Sequence, residues 1–200
     1  MSQPHIVLAS SSPYRAQLLE RLGIPFVTQS PNIDESPQQQ ELPERLALRL
    51  ASNKARAIAA SFPKSLIIGS DQVASLDGGT IGKPGGYDQA FKQLSSARGQ
   101  WLTFHTGLSV YNAATNQEYR TVERYRVKFR SLSDQQIDGY LRHDQPYDCA
   151  GSFKCEKLGI ALFEQMDGRD PNSLIGLPLI ALVELLAQAG LDVLLHARPA

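Results

Sequence analysis

The sequence predicts an α/β protein, and three stretches carry that prediction. Ile6, Val7 and Leu8 are a short apolar, partly β-branched run that reads as a buried strand. Three serines and Pro13 follow it, then Ala16, Leu18, Leu19 and Leu22 at helical spacing, with Gly23 to close the helix. Next, Pro43 opens an amphipathic helix running to about Phe62, and Leu66 to Ile68 form a central-strand run directly after it. Finally, Trp101 to Arg130 alternates with period two on either side of Ala114-Thr-Asn116, as a long β-hairpin would. At 200 residues and 42% hydrophobic, the chain can bury a core in one domain, residues 1–200, with two lobes.

Composition excludes several classes. The formal net charge is +0, so the chain is no generic binder of nucleic acid, and basic residues serving a phosphate ligand must be concentrated locally. No apolar run is long enough to span a bilayer, and no basic segment precedes a long apolar stretch at the N-terminus. Cys149 and Cys155 do not have the usual spacing of zinc ligands. Two cysteines without a leader suit a reducing, cytoplasmic location, with a structural or incidental role for both. The histidines His5, His105, His143 and His196 are scattered and receive no role.

The first unit is also the first candidate site. Ser12 is a good N-cap and Pro13 is pre-set for the first helical position, so Ser10 to Ser12 present free backbone N–H groups and a positive dipole end at one spot. Arg15 stands in that first turn, where a cation opposes the dipole unless an anion is bound. Ile24 to Thr28 reads as a second strand, and the following loop carries Asp34 and Glu35, which alone suit a solvated turn.

In the helix from Pro43, Leu46, Ala47, Leu50, Ala51, Ala57 and Ile58 share one arc, and Arg45, Arg49, Ser52, Asn53 and Arg56 share another. Lys54 falls inside the apolar arc, where its ammonium must either find a partner or snorkel out. After Leu66 to Ile68, Gly69 permits a close approach to the backbone, and Asp71 stands where the apolar strand ends, the place at which open α/β sheets hold ligands. Asp77-Gly-Gly-Thr80 is a hairpin tip, and Gly82-Lys83-Pro84 presents one lysine from a flexible segment.

Tyr87 to Ala97 is a helix. In the return strand of the long hairpin Tyr125, Val127 and Phe129 alternate with Arg124, Arg126, Lys128 and Arg130, the pattern of a sheet with one solvated face. Ser133 with Gln136 forms a capping box for the next helix. Cys149 to Glu156 is a glycine-containing loop with Lys154 and Glu156, Ala161 to Phe163 a strand, Asp167 to Ser173 a polar loop, and Leu179 to Leu186 a buried apolar helix.

Arg15, Lys54 and Lys83, with Lys154 as a fourth, are cations that structure alone does not call for, and Glu35, Asp71 and Glu156 are carboxylates in similar positions. Cations that neutralise phosphoryl oxygens, beside a carboxylate that holds a divalent ion or takes a proton from water, suit a triphosphate. No Cys–His or Ser–His arrangement is visible, so direct attack by water is the economical reading.

Taken in order, Ser10-Ser-Ser-Pro-Tyr-Arg15, Asp34-Glu35, Lys54-Ala55, Gly69-Ser-Asp-Gln-Val73, Gly82-Lys-Pro84, Thr106-Gly-Leu108, Ala150-Gly-Ser-Phe-Lys154 and Gly176-Leu-Pro178 resemble the Maf family of nucleoside triphosphate pyrophosphatases over nearly the whole chain. The resemblance implies an α/β fold of the Maf and inosine-triphosphatase type, a mixed sheet in two lobes around a cleft. It implies hydrolysis between the α and β phosphates, a divalent cation such as Mg²⁺ or Mn²⁺, a cytoplasmic enzyme, and often a homodimer. It makes Asp71 the proton acceptor. It places Ser10, Ser12, Arg15, Lys54, Lys83 and Lys154 around the phosphates, and Glu35 with Asp71 at the metal. Tyr14, Gln72 and Glu156 depart from the commonest pattern of the family. They look like the branch that hydrolyses 7-methyl-GTP, although that branch often has Trp at the position of Tyr14, and Lys157 stands where Gly is common. The same chemistry on dTTP and UTP, or a nucleotide-binding regulator of cell division without turnover, are the rival readings.

Overall fold

A computed structural model of the chain describes residues 5–197. In chain order its elements are β1 (His5–Leu8), α1 (Pro13–Glu20), β2 (Phe26–Thr28), α2 (Pro43–Ala57), β3 (Ser65–Leu76), β4 (Gly79–Ile81), α3 (Tyr87–Ala97), β5 (Trp101–Asn112), β6 (Gln117–Phe129), α4 (Asp134–Asp144), β7 (Phe163–Gly168), α5 (Asn172–Ile175), α6 (Leu179–Gln188) and α7 (Val193–His196). Among the described residues the strands form one mixed sheet in the order β2-β1-β3-β5-β6-β7, with β4 paired to β3. β1 runs parallel to both β2 and β3, whereas β3, β5, β6 and β7 follow one another antiparallel.

β3 organises the sheet. Its alternate residues Ile67, Gly69, Asp71 and Val73 face α2, and Leu66, Ile68, Ser70, Gln72 and Ala74 face the other side. On that other side lie two separate apolar cores. Leu66 and Ile68 pack with Leu8, Leu108, Val110 and the apolar face of α6. Ala74 packs with Leu102, Phe104, Val127 and the inner faces of α3 and α4. Between them the strands are polar: the Ser70 hydroxyl lies 2.9 Å from the Gly107 carbonyl and 2.8 Å from that of Gly176, and Thr106 Oγ1 donates to the Ser173 carbonyl at 2.9 Å. Two cores on one twisted sheet with a hydrogen-bonded strip between them are the two lobes.

α2 covers the opposite face. Leu46, Ala47, Leu50, Ala51 and Ala55 are all buried, and each leucine removed from water contributes about 1.5–3 kcal/mol. The helix lies so close that a Cβ on Gly69 would stand 2.1 Å from the Ala51 carbonyl oxygen, and one on Gly107 would stand 2.2 Å from that of Ala47. The close approach at Gly69 is therefore that of a helix backbone.

The structure also corrects several sequence expectations. Asp71 is not at the end of its strand: β3 continues to Leu76 because β5 pairs with it throughout, from Leu66 opposite Asn112 to Ser75 opposite Thr103. It is β1 that ends, at Leu8, and Asp71 lies beyond that end, beside the serine loop. α2 stops at Ala57, giving way to a short 3-10 turn over Ala59–Ser61. The second strand begins at Phe26 because Pro25 has no N–H to offer the ladder. Residues 161–162 close a 3-10 turn, and the strand instead runs from Phe163 to Gly168. It takes in Asp167, placed by sequence in a polar loop, because an edge strand with solvated side chains carries no apolar alternation. Tyr125 lies so tightly over Gly168 that a Cβ there would be 2.2 Å from its ring. The rest of the polar loop is pinned by buried Asp170, which accepts from the backbone N–H groups of Asn172 and Ile180 at 2.9 and 2.8 Å. Among the described residues no helix is long and apolar enough to cross a membrane.

Candidate active site

A cavity of about 620 Å³ opens between the serine loop, α2, the middle of β3 and the 148–156 loop. That volume suits a nucleotide-sized ligand. At its floor Lys54, 6% exposed, is buried rather than snorkelling. Its ammonium donates to Asp71 Oδ1 at 2.6 Å and pairs with Glu35 Oε1 at 2.7 Å. The helix brings Lys54 inward because it sits on the face held against Gly69 and Gly107.

The electrostatics separate the two carboxylates. Burial pushes Asp71 above its ordinary value of 3.8, although Lys54 and Arg15 pull the other way. Desolvation also acts on Glu35, but Lys54, Lys83 and Arg15 together hold it below its ordinary range. Asp71 is thus the stronger base of the two. Arg15 feels burial most, which lowers its pKa, and Asp71 and Glu35 oppose that shift. Its Nε donates to the Gly176 carbonyl at 2.8 Å, the same oxygen that the Ser70 hydroxyl approaches. The turn at Gly176, φ 111°, therefore locks Arg15 to β3.

Ser10 and Ser12 line the cavity. Ser10 Oγ accepts from the Ser12 N–H at 3.1 Å and Ser12 Oγ accepts from the Arg15 N–H at 3.4 Å, which leaves both hydroxyl protons to donate. Lys83 also lines the cavity and is exposed. Lys154 departs from expectation. It is not in the wall: its ammonium pairs with Asp148 at 3.2 Å, and Asp148 is the residue that lines the cavity. Its backbone N–H donates to the Tyr140 hydroxyl at 3.0 Å, which sets the loop's course.

Tyr14, Gln72 and Glu156 also line the cavity. Gln72 Nε2 donates to the Ser173 carbonyl at 2.6 Å and lies 3.2 Å from that of Leu174, so the amide nitrogen serves α5 and only the carbonyl oxygen is left for a ligand. Glu156 is exposed and has no ion-pair partner among the described residues; its one hydrogen-bond neighbour is the Cys155 thiol at 3.6 Å.

Sequence reasoning did not place Asp148, Cys149, Cys155 or Ser30 in the wall, yet all line it. The thiols are held protonated: burial, then the neighbouring carboxylates, push Cys149 and Cys155 each up to about 12. Because the thiolate is the reactive form, alkylation of the folded protein by iodoacetamide at neutral pH should be far slower than after unfolding in guanidinium. Fast modification of the native protein, followed by mass spectrometry, would contradict the protonated state.

Three or more His, Cys, Asp or Glu side chains do not gather into a metal cluster among the described residues. Glu35 and Asp71 nevertheless fit a hard divalent ion, since Mg²⁺ is commonly held by one or two carboxylates with substrate phosphates completing its shell.

Fold and cavity together define an α/β protein with several cations and a buried carboxylate in the wall of a nucleotide-sized cleft. The chain belongs to the family described as Maf-like protein, which it matches over residues 5–189. It is 58% identical over 191 residues to the 7-methyl-GTP pyrophosphatase of Methylobacillus flagellatus, covering 96% of this chain and 100% of that one. Over 191 residues it is 54% identical to the protein of the same name from Nitrosococcus oceani, covering 96% of each. To that from Vibrio vulnificus it is 51% identical over 194 residues, covering 97% of this chain and all of that one. Among solved structures it resembles the Staphylococcus aureus Ham1 protein, at TM-score 0.52 and 14% identity, over 94% of this chain and 100% of that one. A HAM1 protein from Coxiella burnetii gives the same score and identity, over 93% of this chain and 100% of that one. These two likenesses concern the fold alone.

Proposed function

We propose that the protein hydrolyses 7-methyl-GTP to 7-methyl-GMP and pyrophosphate. The observation that carries the reaction is Asp71, 7% exposed, raised in basicity by burial and hydrogen-bonded to Lys54 within a wall that also bears Arg15, Lys83 and the serine loop. The observation that carries the base is Glu156, a cavity carboxylate without a cation.

Asp71 takes a proton from a water molecule whose oxygen forms a bond to the α phosphorus. The bond from that phosphorus to the oxygen bridging to the β phosphorus breaks, and pyrophosphate leaves with the electron pair. Arg15, Lys54 and Lys83 meet the charge that develops on the phosphoryl and bridging oxygens. The hydroxyls of Ser10 and Ser12, at the positive end of the α1 dipole, hold phosphate oxygens. Glu35 and Asp71 would hold a divalent cation, which when bound neutralises phosphate charge.

Guanine methylated at N7 and bonded to ribose at N9, as in 7-methyl-GTP, carries a positive charge on its imidazole ring, unlike the ordinary bases. The Tyr14 ring attracts a cationic ring, and Glu156 accepts from guanine N–H donors while matching its charge. A neutral pyrimidine would leave that carboxylate poorly paired, which costs on the order of 1–3 kcal/mol. Glu156→Gln should therefore lower selectivity for 7-methyl-GTP over dTTP and UTP by roughly ten- to a hundred-fold in kcat/KM. The test is pyrophosphate release from all three substrates. A wild type that prefers dTTP or UTP, or a ratio unmoved by the substitution, removes the base assignment and leaves the hydrolysis standing.

A further inference from the structure

Gln93, on α3, does not line the cavity, yet it joins two parts of its wall. Its Nε2 donates to the Gly82 carbonyl at 3.1 Å, and its Oε1 accepts from the Ser152 hydroxyl at 2.5 Å. A carbonyl only accepts, so the amide nitrogen must face Gly82, and the amide oxygen is left for Ser152. Gly82 precedes Lys83 in the wall, and Ser152 belongs to the loop that presents Glu156.

These two parts are held differently. Ser152 is fully buried. Beside it Phe153 packs edge-on against Phe104, Phe129 and Phe163, with ring centroids 5.4, 5.9 and 4.8 Å away. On its other side Gly151 leaves no room for a side chain, since a Cβ there would be 2.9 Å from Leu102. The glycine segment has no such packing: a Cβ on Gly82, Gly85 or Gly86 would have nothing within 4 Å. Among the described residues two hydrogen bonds tie residues 82–85 to the rest of the fold, the one from Gln93 and one from the Gly85 N–H to the Tyr147 carbonyl at 3.0 Å. A lysine carried on a loose backbone loses more conformational freedom on meeting a phosphate than one carried on a fixed backbone.

We propose that Gln93 is a positioning residue for Lys83. It lends the rigidity of the Phe153 loop to the glycine segment, and so holds the Lys83 ammonium where it meets the triphosphate. Holding Lys83 matters because of the reaction proposed above, on which this role rests.

The test compares wild type with Gln93→Met, which keeps length and helix propensity and removes both hydrogen bonds. A second variant, Gln93→Met with Ser152→Ala, removes the clamp without leaving the buried Ser152 hydroxyl unpaired. Backbone order is read from ¹⁵N relaxation of the full chain. In both variants the order parameters of Gly82 and Lys83 should fall from the rigid value of about 0.85 toward about 0.6, while those of Gly151 to Glu156 stay high. Unchanged order at Gly82 and Lys83, or equal loosening of residues 151–156, overturns the proposal. Gln93→Met should also lower kcat/KM for 7-methyl-GTP and UTP alike by roughly three- to tenfold, the worth of one net hydrogen bond. In a Lys83→Ala background it should lower neither further. Losses that simply add would show that Gln93 does not act through Lys83. A segment that loosens in Gln93→Met, together with full turnover in Lys83→Ala, would remove the phosphate role of Lys83 from the proposed reaction while supporting the hold of Gln93 on the segment.

Discussion

Asp71→Asn should lower pyrophosphate release by roughly a hundred- to ten-thousand-fold, the range over which a positioned general base contributes, while the protein stays folded. Asn has the same shape, and its amide oxygen still accepts from Lys54 Nζ, which keeps Glu35 as its second partner. What is lost is the proton acceptor and the negative charge. The pH profile of the wild type gives an independent reading. Asp71 must be ionised to accept a proton, and burial raises it above 3.8. Turnover should therefore fall as acid protonates Asp71, at a pH that a divalent cation on the same carboxylate moves down. Near wild-type turnover in a folded Asp71→Asn protein would take the role of base away from this residue.

Gly107→Ala should be, with Gly69→Ala, among the most damaging single-methyl changes in the described fold. The added Cβ would stand 2.2 Å from the Ala47 carbonyl oxygen, 2.4 Å from its carbon and 2.7 Å from the Leu48 nitrogen. All three are backbone, so no side chain can turn aside, and α2 must lift from the sheet. Overpacking of this kind costs about 3 kcal/mol or more. For a chain of this size that corresponds to a fall in Tm of roughly 6–12 °C. Thermal unfolding followed by circular dichroism measures it, and an unchanged Tm would mean that the helix is not seated as described. Because α2 carries Lys54, the surviving folded protein should also bind every triphosphate less well, whatever its base.

Much of this was legible because local chemistry and tertiary outcome agree. Ser12 and Pro13 read as a helix start and form one. The capping box at Ser133 and Gln136 is present in both directions. The hairpin turns at Asn116, φ 58°, as the turn residues required. Lys54 was conspicuous for a physical reason, since an ammonium on an apolar arc demands a counter-charge, and the structure supplies two. What escaped had no local signature. The length of β3 depends on β5, some thirty residues away, and β7 depends on the ring of Tyr125. Asp148 is an unremarkable surface acid until the fold sets Lys154 beside it. Gly69 announced a close contact but not with what, because a ligand and a helix backbone ask the same thing of a glycine.

The seating of α2 against bare backbone has a bearing on how such proteins diversify. Lys54 reaches the cleft from a helix whose height over the sheet is set by two missing side chains, Gly69 and Gly107, whereas Tyr14 and Glu156 are presented by the first turn of a short helix and by a loop. On the proposed reading, the phosphate-binding residues are thus built on a helix seated against backbone, and the residues that meet the base on a helix turn and a loop. A lineage can exchange one base for another by rewriting a few peripheral positions, with the hydrolytic apparatus inherited intact. Changes at the two glycines close that route, because they disturb the shared apparatus before any new preference can be selected.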